Sequence, residues 1–475
     1  MTSRISRLKG APVKLALILV FFAVGIAVAL AQPFYGLDAT GSRMLGVIIA
    51  ALATWMFRPE GGTFIIGAAI IFLGGTLAGL PMSDLAAGFS SPALWLMIPA
   101  MFLGAALMKT GLGKRMIYAL FCRFDLTYPK ILAGWLVVSI LFSLITPSIV
   151  VRFMIATPIA VSVADACLLG KDSRGRSLII ISAWLLNVFP GIAWMNGSLF
   201  GPVFSAFLPE GAVRDMATEQ MWFRVMSPWM LFGVVFVAAL YFVLKPEMPL
   251  SITREQVSRM YKELGPITKT EKGCLVAFVF LAVSLVSQRF LPFTTNQAIL
   301  AAFVLLLLLG VLTAKDVSSG VNWDTIMFFG VILSFVHISS VSGISAWLAP
   351  YLTLLMQPIA GHPLVFVLAL YGICLLIRFV DVSQGWISSA ILAMAAPALL
   401  TDFGIHPLIP IMVFICASNL FFFRYHQPWI VQVESVCGGS GWNPRHLTSA
   451  SVLYAGLVVV FLVFCYFYWV FVGVL

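Results

Sequence analysis

Long apolar runs follow one another along almost the whole chain. Several approach the roughly 20 residues that an α-helix needs to cross a lipid bilayer, and the shorter ones suggest broken or re-entrant segments. The chain is 61% hydrophobic and 10% charged, which is more apolar surface than a soluble core can bury. The pattern predicts an all-α integral membrane protein with about ten or eleven transmembrane helices. The runs are Val13–Gln32, Met44–Met56, Phe64–Leu80, Ile131–Thr146, Pro228–Leu244, Cys274–Ser284, Ala298–Leu312, Leu364–Ile377 and Leu453–Leu475.

Lysine and arginine cluster in a few places between these runs. Basic residues lie at Arg4, Arg7 and Lys9, in the segment 171–176 and, most densely, in the segment 245–272. By the positive-inside rule, the N-terminus and both segments face the cytoplasm. The net charge of +10 therefore reflects topology, and nucleic-acid binding is excluded because it would need a soluble basic face. The first run is longer than the apolar part of a signal peptide and lacks a small-residue cleavage site, so we expect it to be a span.

The residues that usually carry enzyme chemistry are dispersed. The chain has seven cysteines and five histidines, without the spacing of a zinc or redox site. The sequence contains no recognisable glycine-rich phosphate loop or Ser/His/Asp arrangement. We therefore expect a protein that is not an enzyme and has no cofactor or bound metal. An intramembrane enzyme acting on a lipid-linked anion is the alternative from another class, and it would need catalytic groups near one membrane face.

A short pattern occurs twice in the chain. An aspartate, a glycine four positions later and a second glycine 23 positions after that recur with a separation of 232 positions, as Asp84, Gly88 and Gly111 and as Asp316, Gly320 and Gly343. A weak internal repeat in an apolar chain is typical of transporters whose two halves enclose a site near the membrane midplane. We predict an N-terminal membrane repeat over 1–244, a basic cytoplasmic connector over 245–272 and a C-terminal membrane repeat over 273–475.

The first polar interruption of an apolar run is Thr146-Pro147-Ser148, followed by Arg152. Proline removes a backbone donor and breaks the helix, which leaves helix ends free to bind ions. Ionisable groups within a bilayer are costly, so Arg152 is a candidate functional residue. Its planar guanidinium suits a carboxylate, phosphate or sulfate. The alternative is a helix kink with an arginine that snorkels to the membrane surface.

The second polar interruption runs from Arg378 to Gly385. Shifting Ser148 and Arg152 by 232 positions gives positions 380 and 384, inside this stretch. Arg378 and Asp381 are spaced i, i+3 and could form a structural ion pair on one helix face. Ser383-Gln384-Gly385 is the better candidate for substrate binding, because a serine, an amide and a glycine permit close backbone approach.

Each interruption is followed by another polar segment. These segments are Asn196-Gly197-Ser198 and Arg424-Tyr425-His426-Gln427-Pro428. Such interruptions are tolerated at membrane depth only where they are buried in protein or line a cavity. We therefore add Asn196, Gly197, Arg424, His426, Gln427 and Pro428 to the candidate substrate-binding residues. For His426, a neutral ring satisfied by a neighbouring carbonyl is the alternative to proton shuttling.

The segment Asp84-Leu-Ala-Ala-Gly88-Phe-Ser-Ser-Pro-Ala-Leu-Trp95, continuing to Lys109-Thr-Gly-Leu-Gly113, resembles the first re-entrant hairpin of the divalent anion:sodium symporters. This is the family of dicarboxylate, citrate and sulfate carriers. Residues 322–343 resemble its second hairpin. The resemblance implies two inverted repeats, each with a re-entrant hairpin and a broken helix. It also implies a homodimer in which a transport domain moves against a scaffold.

Two Ser-Asn-Thr motifs form the substrate and sodium sites of that family. The matching positions here are Ser148-Ile149-Val150 and Ser383-Gln384-Gly385, so the resemblance assigns Ser148 and Ser383 to both substrate binding and ion coupling. Arg152 also fits the resemblance, because the plastid-type oxoglutarate/malate translocators, a branch of the family, look to carry an arginine at the matching position. The first motif lacks the amide and hydroxyl oxygens that a hard cation uses. Three coupling ions therefore stay open: sodium (which the family implies), protons or a counter-anion.

Charge indicates the sign of the substrate. Arg152, Arg378 and Arg424 lie in the predicted central segments, where only Asp381 opposes them. We therefore predict a secondary active transporter in the bacterial cytoplasmic (inner) membrane that moves a multiply charged anion by elevator-type alternating access. The anion is a di- or tricarboxylate, a sulfate or a sulfonate. The alternatives are a cation/proton antiporter of the same superfamily, with Asp381 as the proton carrier, and a non-transporting membrane receptor.

Overall fold

A computed structural model of the chain describes residues 2–57, 63–208, 211–287, 294–320, 322–379, 404–423, 426–439 and 441–475. Over these residues the protein is built from α-helices joined by short connections. Three 3-10 turns lie within the connections, at Ala87–Ser90, Pro190–Ala193 and Met195–Gly197.

The helices of the first half extend over the predicted N-terminal repeat. They are α1 (Thr2–Leu30), α2 (Ala39–Met56), α3 (Ile65–Leu77), α4 (Met82–Leu85), α5 (Pro92–Thr110), α6 (Leu112–Phe121), α7 (Tyr128–Ile145), α8 (Ile149–Ala166), α9 (Arg174–Leu186), α10 (Phe200–Ala206), α11 (Ala212–Asp215), α12 (Glu219–Met226) and α13 (Pro228–Val243).

The remaining helices cover the connector and the second half. They are α14 (Arg254–Lys262), α15 (Lys269–Ser287), α16 (Thr295–Leu308), α17 (Ala314–Gly320), α18 (Trp323–Val341), α19 (Ile344–Ala360), α20 (Pro363–Ile377), α21 (Leu408–Ser418), α22 (Pro428–Val436) and α23 (Pro444–Phe471).

The described residues contain nine helical segments that are long and apolar enough to cross a membrane, and four shorter apolar helices. This confirms the predicted all-helical, multi-span membrane fold. The predicted number of about ten or eleven spans is larger than the nine long segments because some shorter helices were included in it. The orientation of the two halves relative to the membrane and the re-entrant character of the hairpins remain predictions.

Side-chain caps explain where several helices begin. Asp38 caps α2 by accepting the Gly41 N–H at 2.6 Å, and Ser173 caps α9 by accepting the Arg176 N–H at 3.1 Å. Thr253 begins α14 with a full capping box. Its side chain accepts the backbone N–H of Gln256, and the Gln256 side chain accepts the backbone N–H of Thr253. These polar residues satisfy backbone donors that the first helical turn leaves unpaired.

The repeated glycines have the same local structure in both halves. Gly111 separates the 19-residue helix α5 from α6, and Gly343 separates the 19-residue helix α18 from α19. Their φ angles are +77° and +73°, in the left-handed region that glycine adopts without strain. The sequence repeat therefore marks a repeated helix junction, 232 positions apart.

The two halves contact each other reciprocally. Gly88 packs on Gly330 and Ser334 of α18, and Gly320 packs on Phe102 of α5. Positions 320 and 334 each follow positions 88 and 102 by 232, so the same pair of positions meets twice. The predicted inverted repeat would bring equivalent positions together in this reciprocal way.

Two side-chain pairs follow the same reciprocal pattern. Asp84 of the first half lies 3.1 Å from His337 Nε2 on α18. Its counterpart in the second half, Asp316, lies 2.7 Å from Lys109 Nζ on α5. Each aspartate of the repeated pattern therefore reaches a 19-residue helix of the opposite half.

The centre of the protein is formed by α9 and α21. The most apolar window of the segment Arg174–Ala193 is 100% buried, and every residue of α21 is buried. The two helices occupy equivalent places in the repeat, because they end 232 positions apart at Leu186 and Ser418. By contrast, the apolar part of α1 is only 17% buried, which places it at the periphery. The chain breaks that follow α9 and α21 therefore lie in the interior.

The predicted basic connector is folded against the first half. Arg115 of α6 pairs with Glu271 at 2.7 Å and donates to the carbonyl oxygen of Gly265 at 3.0 Å. The connector thereby joins the two halves through a charge-assisted hydrogen-bond cluster.

Candidate functional site

The first polar break joins α7 to α8 through three residues. Pro147 has no N–H with which to continue the helix, and the Thr146 hydroxyl accepts the Ser148 N–H at 3.2 Å. The Ser148 hydroxyl in turn caps α8 by accepting the Val151 N–H at 3.4 Å. Ser148 thus starts the helix that carries Arg152 in its first turn.

Arg152 is a buried cation. Its exposed fraction is 0%, and Nε, Nη1 and Nη2 have no hydrogen-bond partner among the described residues. A guanidinium carries five N–H donors, and a buried charge without a counter-charge is strongly unfavourable. The Arg152 guanidinium is therefore a candidate for binding an anion.

The guanidinium of Arg152 lies against the break between α9 and α10. This break contains the second and third 3-10 turns. A Cβ atom placed on Gly191 would lie 2.3 Å from Arg152 Nη1 and 2.7 Å from the carbonyl oxygen of Gly197. The structure therefore brings together Arg152 and Gly197, which the sequence assigned to one site, with Gly191 between them.

Two tryptophans hold this break in place. The Trp194 indole donates to the carbonyl oxygen of Ser143, near the end of α7, at 3.2 Å. The Trp222 indole, from α12, donates to the carbonyl oxygen of Ile192 at 3.0 Å. Both bonds satisfy backbone oxygens that a continuous helix would otherwise have paired.

The Asn196 side chain, a candidate substrate ligand, forms a hydrogen bond to a carboxylate within the protein. Its amide donates to Glu219 Oε1 at 2.9 Å, and the same carboxylate oxygen accepts the Thr295 hydroxyl at 2.6 Å. Glu219 is exposed. The side chain of Asn196 thus links the break to α12 and α16, while its backbone stays beside Gly197.

The second half contributes a comparable cluster. Arg378 follows α20 directly, is 2% exposed and donates to the carbonyl oxygen of His426. Gln427 donates to the carbonyl oxygen of Ser418 at 3.2 Å, and Pro428 is the first residue of α22. One junction between helices therefore holds four of the positions predicted for this half, namely Arg378, His426, Gln427 and Pro428.

His426 is enclosed by aromatic rings. Its ring centroid lies 5.2 Å from those of Phe379 and Phe423 and 6.1 Å from that of Phe422. The histidine is fully buried. The imidazole is therefore surrounded mainly by aromatic rings, and the choice between a neutral ring and a proton shuttle stays a prediction.

The two clusters adjoin through aromatic side chains. Phe153, next to Arg152, packs on Trp429, which follows Pro428, with a centroid distance of 6.1 Å. This contact joins a residue of the predicted N-terminal repeat to one of the predicted C-terminal repeat. The remaining predicted site residues, Asp381, Ser383, Gln384, Gly385 and Arg424, lie outside the described residues.

A pair of buried asparagines escaped the sequence analysis as functional candidates. Asn187 follows α9 and Asn419 follows α21, and each amide donates to the carbonyl oxygen four residues earlier, at 2.6 and 2.9 Å. The Oδ1 atom of each has no partner among the described residues. Their separation of 232 positions is the signal that could have identified them.

Within the described residues, no group of three or more histidine, cysteine, aspartate or glutamate side chains could hold a metal ion.

Apolar helices packed around a buried centre, with polar breaks in that centre, define a multi-pass membrane transporter. The chain belongs to the family described as the sodium:sulfate symporter transmembrane region, whose model matches residues 12–475. This match confirms the family resemblance that the sequence motifs indicated.

Relatives and a solved structure agree with this family. An "Uncharacterized transporter" of Haemophilus influenzae is 25% identical over 364 residues, covering 74% of this chain and 75% of that protein. The chloroplastic dicarboxylate transporter 1 of Spinacia oleracea is 24% identical over 319 residues, covering 64% and 53%. The crystal structure of the YdaH transporter of Alcanivorax borkumensis matches with a TM-score of 0.56 at 12% identity, over 98% of both chains. This last similarity concerns the fold alone.

Proposed function

We propose that the protein carries small, multiply charged anions of the dicarboxylate class across the membrane. The observation that supports this most directly is the buried guanidinium of Arg152, whose nitrogens have no partner among the described residues. A guanidinium binds a carboxylate through two parallel hydrogen bonds, which gives both affinity and orientation. The spinach relative, a dicarboxylate transporter, supports the substrate class.

A dianion needs donors at both ends. Arg152 would bind the first carboxylate, with the backbone of Gly197 beside it. The second carboxylate would reach the segment after Arg378, where Ser383, Gln384 and Gly385 are the predicted ligands. The contact between Phe153 and Trp429 supports this arrangement, because it brings the two helix junctions together.

We further propose that transport is an exchange of anions. A site that holds a permanent, buried positive charge is costly to move through the bilayer when it is empty, and less so when an anion neutralises it. A carrier of this kind crosses the membrane mainly in its loaded form, so entry of one anion accompanies exit of another. Sodium coupling is the competing mechanism, and the free Oδ1 atoms of Asn187 and Asn419 would then be candidate cation ligands.

The movement would be alternating access, in which the helices around α9 and α21 carry the site against a scaffold formed by peripheral helices. Complete burial of α9 and α21 and the low burial of α1 are consistent with that division. A homodimer would provide the stationary scaffold.

The test is uptake of radiolabelled malate into vesicles that contain the purified protein. Arg152→Ala should lower uptake by at least about 100-fold, since removal of one partner of a buried charged pair is worth roughly 3–5 kcal/mol. Arg43→Ala is the matched control, because Arg43 is an exposed arginine on a spanning helix. Normal uptake by well-folded Arg152→Ala would remove Arg152 from the site.

The same vesicles separate the coupling mechanisms. Exchange predicts rapid uptake only into vesicles preloaded with a dicarboxylate, with or without a sodium gradient. Uptake that needs inward sodium and no internal anion would replace exchange by symport. Cation-dependent proton movement without any organic anion would favour the antiporter alternative.

A further inference from the structure

The break between α9 and α10 contains two glycines that face each other. A Cβ atom on Gly197 would lie 2.3 Å from the Gly191 carbonyl oxygen and 2.2 Å from Trp194 Nε1. A Cβ atom on Gly191 would lie 2.3 Å from Arg152 Nη1 and 2.8 Å from Ser143 Cβ. Heavy atoms cannot approach this closely, so any side chain at either position must displace a neighbour.

The displaced neighbours differ in their freedom to move. At Gly191 the nearest atom is the end of the flexible Arg152 side chain, and the Gly197 carbonyl oxygen follows at 2.7 Å. At Gly197 the nearest atoms belong to the Gly191 carbonyl group and to the Trp194 indole, which is held by its bond to the Ser143 carbonyl. Neither glycine has a φ angle in the left-handed region, so alanine is compatible with the backbone and the consequence is steric.

We infer that Gly191 is a positioning residue of the anion site, which determines where the Arg152 guanidinium lies. The space left by its missing side chain is the space that Nη1 occupies. Gly197 completes the arrangement by admitting the Trp194 indole, whose hydrogen bond fixes the end of α7. This inference rests on the proposed role of Arg152 in binding the anion, and it assigns substrate affinity to a residue that need not touch the substrate.

The first test compares Gly191→Ala with Gly233→Ala. Gly233 is a buried glycine of α13 beside the same break, but its Cβ would meet its nearest neighbour, Pro190 Cγ, at an ordinary 3.5 Å. Gly191→Ala should raise the KM for malate exchange at least tenfold and change the maximal rate much less. Gly233→Ala should leave both values within about twofold of the parent.

A double-mutant cycle then asks whether Gly191 acts through Arg152. Lysine at position 152 keeps the charge but lacks Nη1, so an alanine at 191 has less to displace. Gly191→Ala should therefore raise KM at least tenfold in the parent and at most threefold in the Arg152→Lys protein. Equal effects in both backgrounds would overturn the inference.

The cycle is also measured as thermal unfolding of the four purified proteins, which needs no transport. The contact with Nη1 predicts a larger fall in Tm for Gly191→Ala in the parent than in Arg152→Lys. An equal fall in both would again overturn the inference. If the parent itself neither binds nor exchanges dicarboxylates, the proposed function fails, whereas a failure of the cycle alone removes only the role of Gly191.

Discussion

The two halves of the molecule meet through equivalent positions that are filled by different atoms. The Gly88 N–H donates to Ser334 Oγ at 2.8 Å, and a Cβ on Gly88 would lie 2.2 Å from the Gly330 carbonyl oxygen. At the equivalent contact, a Cβ on Gly320 would lie 2.9 Å from the edge of the Phe102 ring. In the first contact the added Cβ would meet backbone atoms, and in the second it would meet the edge of one side-chain ring.

This difference shows what the internal repeat retains. The positions that meet have kept their spacing, because the spacing is imposed by helix lengths and junctions that are common to both halves. The atoms at those positions have diverged, because packing constrains local volume and not identity. At the candidate site both halves present a buried arginine, Arg152 and Arg378, and the second half adds a histidine among aromatic rings.

The largest expected contrast concerns the two contact glycines. Gly88→Ala should lower the free energy of unfolding by about 3 kcal/mol, because two backbones must separate to admit the methyl group. Gly320→Ala should lower it by less, about 1 kcal/mol, because the methyl group would meet one ring edge rather than two stretches of backbone and Gly320 is exposed. Thermal or denaturant unfolding of the two purified variants measures this contrast. Equal losses of the free energy of unfolding would mean that the two contacts resist an added methyl group to the same extent.

The second comparison concerns the two buried asparagines, whose substitution should have equal effects on stability if they are structural equivalents. Asn187→Ala and Asn419→Ala each remove one hydrogen bond to a helix carbonyl and should each lower stability by about 1 kcal/mol. Vesicle uptake with and without sodium is measured on the same two proteins. A variant that loses sodium dependence while retaining the expected stability would show that its Oδ1 binds the coupling cation, which would contradict simple exchange.

The smallest expected contrast lies in the two reciprocal side-chain pairs. Hydrogen bonds from Lys109 and Thr313 hold the pKa of Asp316 well below its usual range. A lowered pKa contributes stability that is present above the unfolded value and is lost only as the pH falls through the folded value, so this contribution is constant from pH 8 down to about pH 5. The Asp84 pair is ionic only when His337 is protonated.

Acidification from about pH 8 to about pH 5.5 should therefore leave the contribution of the Asp316 pair unchanged. Asp316→Asn should reduce Tm equally at both pH values, because the carboxyl group stays ionised across this range. Thermal unfolding of the purified variant and parent at the two pH values measures this. A reduction in Tm that disappears at about pH 5.5 would contradict a lowered pKa of Asp316.

Much of the architecture could be predicted from residue type and spacing. The apolar runs required membrane-spanning helices, and the repeated glycines marked two junctions whose left-handed backbone only glycine adopts readily. Arg152 was identifiable because a permanent charge in an apolar stretch needs a partner. Asn187 and Asn419 were harder to identify, since an asparagine after a helix is common and only its burial makes the free oxygen unusual. The positions of Asp381, Ser383, Gln384, Gly385 and Arg424 remain predictions.

The sequence by itself determined the class, the multi-span helical fold and the family, because these depend on hydropathy and local helix signals that are continuous along the chain. Only the tertiary structure decided which polar residues share a site. It placed the Arg152 guanidinium against Gly191, directed the Asn196 amide to Glu219 and surrounded His426 with aromatic rings. Those contacts join residues that are far apart in the chain, and a side chain's partner depends on the packing of whole helices, which no local pattern contains.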